Sequence, residues 1–171
     1  MNLNATYGQD EDRLRFTGGI SKKFNSKNNL RITLTGGTKV TQFNDSEPIS
    51  PLINSISSLF FERNYLKGYN LDFVQIKYRQ ELLNGLETFA KISYEKRSAL
   101  FNNSYHYYIN NKGQQYSSNN PIAPEDVITK SVEQHQVFKS QITARVVFGQ
   151  KYVSIPDRKI NIGNGRYPRI D

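Results

Sequence analysis

There is no cysteine among these 171 residues, so neither a disulfide framework nor a thiolate metal site is available. Two histidines leave little material for imidazole chemistry. His106 and His135 lie in different segments without an acidic partner at ligand spacing, which argues against a metal centre. No run of about 18 apolar residues is present from which a membrane helix could be built. No basic-then-apolar leader opens the chain, and any secretion signal is expected outside this stretch or not at all. A mean hydropathy of −0.66 reads as soluble. It does not exclude a membrane β-barrel, in which only alternate residues face lipid and the loops are polar. The charge of +8 permits an anionic partner and says nothing about fold.

What the chain has in quantity is alternation. In 70–82, Val74, Ile76, Tyr78 and Leu82 fall on one face, with Gln75, Lys77, Arg79 and Glu81 on the other. In 86–97, Leu86, Ala90, Ile92 and Tyr94 oppose Glu87, Lys91, Ser93, Glu95 and Arg97. A period of two over this length marks strands of a sheet with one apolar and one polar face. Asn84-Gly85 joins the two arms. A two-residue turn would set Leu82 beside Glu87, whereas a three-residue loop with left-handed Gly85 pairs Leu82 with Leu86, Ile76 with Ile92 and Val74 with Tyr94. The side-chain match selects the second. It also sets Lys77 opposite Lys91 and Glu81 opposite Glu87, tolerable only on a hydrated face.

The same pattern recurs at 2–7, 13–24, 30–43 and 135–148. Gly18-Gly19 and Gly36-Gly37 interrupt two of these strands, as bends or close backbone approaches do. Between 51 and 64 the period changes. Ile49, Leu52, Ile53, Ile56, Leu59 and Phe60 recur at helical spacing, behind Ser50 as N-cap and Pro51 in the first turn. Such a helix either caps a sheet end or core, or lies at a membrane interface or in a pore mouth. The segment 98–134, rich in Asn, Tyr and Ser, reads as a functional or mobile loop. After 148 the tail carries turn signals at Pro156-Asp157, Gly163–Gly165 and Pro168 and is expected to form no further strand.

Short connections alternate with the long loops 44–69 and 98–134. Long loops at one end and tight turns at the other describe an outer-membrane barrel. Arms of 12–14 residues reach roughly 40 Å, more than a tilted membrane strand of about 9–11 residues needs and far beyond the usual soluble strand.

Three segments, FNDSEPISPLINS, FFERNYLKGYNLDFVQIKYRQELLNGLETFAKISYEKRSALFN and GQKYVSIPDRKINIGNGRYP, resemble the central barrel of a large outer-membrane protein family of the Bacteroidota. That family has no defined function, and its longer members begin with a carboxypeptidase-regulatory-like β-sandwich. The resemblance implies a fragment of a longer protein, located in the Gram-negative outer membrane, and carries over no catalytic residue. About six strands are fewer than the eight of the smallest single-chain barrels, which leaves edges to be paired.

The expected fold is therefore all-β: a curved antiparallel sheet forming an incomplete transmembrane barrel over 1–171, with one short helix near 51–64. Leu14, Phe16, Ile20, Ile32, Leu34, Val74, Ile76, Tyr78, Ile92, Tyr94, Phe138, Ile142 and Val146 are expected to face lipid. Arg15, Arg31, Lys39, Lys77, Arg79, Lys91 and Arg145, with Arg13, are expected on the lumen side, as a solvated face or as a lining for an anionic solute.

Tyr105, His106, Tyr107, Tyr108 and Tyr116 suit stacking on sugars or bases, packing within their own loop, or anchoring at a membrane interface. Arg158 is a candidate partner for Glu81 or Glu87. Asp10, Glu11 and Asp12 lack the spacing of a calcium loop, and Gly163-Asn164-Gly165 lacks the Lys-Ser/Thr ending of a phosphate loop. The function expected is non-enzymatic, in envelope transport or surface interaction, without cofactor or metal, with membrane lipid and an anionic solute or surface ligand as partners and no nucleic acid. The alternatives are a soluble β-sheet module binding nucleic acid or glycans, and a barrel-embedded hydrolase, for which the two histidines supply no clear partner.

Overall fold

The computed structural model describes residues 1–8, 12–44, 46–101, 108–109, 116–126, 128–156 and 158–162, with 169–170 as backbone alone. Strands β1 (Asn2–Gly8), β2 (Arg13–Asn25), β3 (Leu30–Gln42), β4 (Gly68–Leu83), β5 (Leu86–Ala99) and β6 (His135–Val147) lie side by side in sequence order, each antiparallel to the next. The two-residue strand β9 (Arg169–Ile170) extends the far edge by pairing with Val146 and Val147. Helix α1 (Pro51–Phe61) sits between β3 and β4.

The register at the centre follows from side-chain matching. Ile76 lies opposite Ile92, Val74 opposite Tyr94, Lys77 opposite Lys91 and Glu81 opposite Glu87, all as the alternation requires. At the turn itself the expected three-residue loop gives way to a two-residue turn at Asn84-Gly85: Leu83 rather than Leu82 faces Leu86, and an irregularity between Glu81 and Leu83 takes up the extra residue. Gly85 there has φ 82, and a Cβ on it would come within 2.3 Å of the Val147 carbonyl oxygen. Only glycine fits both demands.

The paired glycines of β2 and β3 meet across the ladder, Gly18 opposite Gly36. Gly37, at φ 136, ends that ladder, and a Cβ on it would lie 2.0 Å from the Phe16 carbonyl oxygen. The backbones thus approach more closely than any side chain would permit.

The sheet curls toward its polar face. Five interstrand steps of about 4.8 Å would hold β1 and β6 roughly 24 Å apart in a flat sheet. Yet Asn2 and Asn4 of β1 and Lys139 of β6 line one cavity of about 560 Å³. Among the described residues β1 and β6 do not pair, so the sheet is curved and open.

Three local expectations need correction. Ser50 is the N-cap of α1 but makes no side-chain capping bond, and the helix ends at Phe61, where Glu62 turns left-handed at φ 53. The tail does contain strands: β7 (Tyr152–Ile155) and β8 (Arg158–Asn161) form a separate hairpin. The long loop 98–134 is docked, in its described part, rather than free, as its contacts below show. Gly163–Gly165, Pro168, Asp157, Asp10 and Glu11 lie outside the described residues.

Candidate functional site

The buried set is inverted relative to a globular core. Among the described residues only Tyr69, Leu71 and Val147 are buried apolar side chains, against ten buried polar or charged ones. The chain exposes 12165 Å². A globular monomer of its 19.7 kDa mass would expose roughly 8,600 Å².

The excess includes one continuous apolar surface. Leu14, Phe16, Ile20, Ile32, Leu34, Val74, Ile76, Ile92, Tyr94, Phe138 and Ile142 are all exposed, Ile142 by 79%. Tyr78 and Val146 of the same face are half-buried. The register sets these residues in rows across the strands, Ile32–Tyr78–Ala90–Ile142 and Ile20–Leu34–Ile76–Ile92 among them. An apolar surface this extensive exceeds what monomeric soluble proteins usually present to water.

The opposite face holds the charge. Arg13, Arg31, Lys77 and Arg79 are exposed, and Lys39, Lys91 and Arg145 half-buried. Arg15 is buried instead, with its Nε donating to Asn70 Oδ1 at 3.1 Å, and Asn70 is itself fully buried. Arg15 is thus committed to a neighbouring side chain rather than presented to an open lining.

Carboxylates divide this face into nodes. Glu95, 8% exposed, accepts from Arg97 Nη2 at 2.7 Å and from Lys139 Nζ at 3.1 Å, and Ser93 Oγ donates to it at 3.4 Å. Glu87 pairs with Arg79 and, at 4.0 Å, with Arg145. Two guanidinium groups, those of Arg79 and Arg145, lie over the Phe89 ring at 5.3 and 5.5 Å. Glu81 accepts from Lys159 Nζ at 2.7 Å. Lys159 therefore fills the place expected of Arg158 and ties the β7–β8 hairpin to the β4–β5 turn, where Val147 N–H also donates to the Gly85 carbonyl. The alternation places these three glutamates on the face of Lys77, Arg79 and Lys91; what it does not supply is which cation each one meets.

At the long-loop end the two loops hold each other. Asn119 Oδ1 accepts from the Gly68 N–H at 3.0 Å while its amide donates to the Gly68 and Leu100 carbonyls. Lys67 Nζ donates to Ser117 and Ser118, and burial holds this ammonium below the ordinary lysine range. Tyr116 donates its hydroxyl to the Ser58 carbonyl, and Tyr108 stacks on Phe60 of α1 at 5.6 Å. These two tyrosines pack within the loops, while Tyr105, His106 and Tyr107 lie outside the described residues. Further along, Asp126 closes a turn: bonds from the Thr129 hydroxyl, then from the Thr129 and Ile128 N–H groups, hold its carboxyl below the usual aspartate range. Helix α1 has no buried residue, and Leu52, Ile53, Ile56, Phe60 and Phe61 are exposed on it.

Among the described residues no group of three or more His, Asp or Glu side chains gathers as a metal site would require. No described helix is long and apolar enough to cross a membrane, which says nothing about strands.

Neither a curated protein nor a solved structure matches the chain. A family model does, over residues 1–171, and the chain belongs to that family, described as a family of unknown function (DUF5686), C-terminal domain.

Proposed function

We propose that this domain is barrel wall: a non-enzymatic part of a Gram-negative outer-membrane protein, with lipid against the apolar face and water on the charged one. The observation that carries the reading is the inversion of burial across one sheet. Phe138 and Ile142 stand 68% and 79% exposed, while Ser93 and Glu95 on the other side are 1% and 8% exposed. In water that arrangement is unfavourable, because each exposed large apolar side chain forgoes about 1.5–3 kcal/mol of burial. Against hydrocarbon it is the arrangement a barrel strand requires.

Strand length supports the same reading. Strands β2 to β6 run 13 to 16 residues, where about 9–11 suffice to cross a bilayer at the usual tilt. In this reading the edge at β1, and that of β6 beyond its short pairing with β9, continue into further strands of the same protein, as the resemblance to a Bacteroidota barrel implies. Its role is envelope transport or surface interaction, with an anionic solute as the candidate cargo. Exposed Leu52, Ile53 and Ile56 of helix α1 would then rest at the membrane interface.

The test is substitution by face in the full-length protein. Ile76→Arg and Ile92→Arg place charge in the apolar band, and each costs about 2–4 kcal/mol at the bilayer midplane. Gln75→Arg places the same charge on the polar side. The expected result is loss of heat-modifiable, membrane-assembled protein for the first two and normal assembly for the third. Normal assembly of all three, or a full-length protein that stays monomeric in buffer without detergent, would overturn the reading.

A further inference from the structure

The carboxylates of the polar face are matched at three nodes: Glu95 has Arg97 and Lys139, Glu87 has Arg79 and Arg145, and Glu81 has Lys159. One cleft of about 310 Å³ at the middle of the sheet gathers cations of which most lack such a match; it is lined by Arg31, Lys77, Arg79, Lys91, Phe89 and Gln141 among others. Its cations sit in two adjacent rows of the register. Lys77 lies directly opposite Lys91, and Arg31 lies directly opposite Arg79, with Lys23 beyond Arg31.

Directly opposed side chains stand about 5 Å apart at Cβ, and successive rows on one face about 6.8 Å. Like charges placed so are destabilising. Only Arg79 is compensated, through Glu87. For Arg31, Lys77 and Lys91, no carboxylate among the described residues lies within ion-pair distance.

We propose that this cleft is a binding site for a soluble, multivalent phosphate-type oxyanion. Three unmatched positive charges within two rows call for an anion carrying more than one charge. The Arg31 fork presents paired N–H donors to such an anion, and the two ammonium groups add mobile point charges. Phe89 holds the Arg79 guanidinium over its ring, so that one wall of the cleft is set before the ligand arrives. The Gln141 amide, directly opposite Lys91, supplies a neutral donor. Apart from Tyr78 and Ala90, the lining belongs to the face opposite the apolar band, so headgroups of lipid on that band do not reach its cations, and the ligand is a solute. The solute's place in the lumen rests on the barrel reading above, whereas the charge cluster stands on the register alone.

The experiment uses the full-length protein, folded in detergent, titrated calorimetrically with sodium pyrophosphate at constant ionic strength. Saturable binding is expected for the natural protein. It should weaken at least tenfold in Lys77→Gln/Lys91→Gln and several-fold in the single variant Arg31→Gln. Lys139→Gln, outside the cleft, should stay within about twofold. Relief of the opposed lysines should also raise the melting temperature of the unliganded double variant, where a structural role for them would lower it.

Heat no greater than that from sodium chloride at matched ionic strength would overturn the proposal. So would natural affinity in the Arg31→Gln and double variants. A protein soluble without detergent that still binds pyrophosphate would sink the barrel reading and leave the cleft standing.

Discussion

Ile92 and Ser93 are adjacent in the chain and have opposite fates. Ile92 points away from the sheet's polar side and is 47% exposed, with Ile76 beside it in the register. Ser93 points inward and is 1% exposed, at the foot of the Glu95–Arg97–Lys139 node. One face is held by shape and polar complementarity, as a protein interior is. The other is apolar and stands exposed. The difference teaches that the interior of this domain is its charged side.

Three substitutions sharpen that contrast, measured as urea-unfolding free energies of the full-length protein in one lipid or detergent system. The largest effect belongs to Glu95→Ala. It leaves Arg97 and Lys139 facing each other without their shared carboxylate, at a cost of about 2–4 kcal/mol, below the full range for a buried pair because Lys139 is partly solvated. A loss under about 0.5 kcal/mol would show that the node is a hydrated surface pair.

Ser93→Leu comes next. Overpacking a filled site costs about 1–3 kcal/mol, and the leucine also removes the hydroxyl that donates to Glu95. Smallest is Ile92→Phe, one residue away, which should change stability by less than about 0.5 kcal/mol, since nothing of the protein's own is packed over it. If Ile92→Phe proved as costly as Ser93→Leu, the outer face would be covered by protein, and the comparison would fail.

Much of the sheet was legible because its period is two and its faces differ in polarity. With Gln75, Lys77, Arg79 on one parity and Val74, Ile76, Tyr78 on the other, a slip of one residue would invert both faces, so the register Ile76–Ile92 follows from matching like with like. The turn was less legible by one residue. Leu82 and Leu83 are chemically alike, and only the backbone, through left-handed Gly85 packed against the Val147 carbonyl, chooses Leu83 to face Leu86.

The nodes and clamps were harder to read. Arg15 finds Asn70 across 55 residues, Gly68 finds Asn119 across 51, and Lys159 finds Glu81 across 78. Local pattern carries no information about partners at that distance, and Arg158 and Lys159 differ only in which side of a short strand they occupy.

What the order of residues determined by itself was the number of long strands, their faces and the central register, because alternation acts locally and every misregistered alternative puts charge among apolar groups. What only the tertiary structure decided was which charges neutralise one another, which three of the crowded cations are left unmatched, and how tightly the sheet curls. Those depend on the approach of strands far apart in the chain, and on Gly37 letting its backbone come closer to Phe16 than a side chain allows.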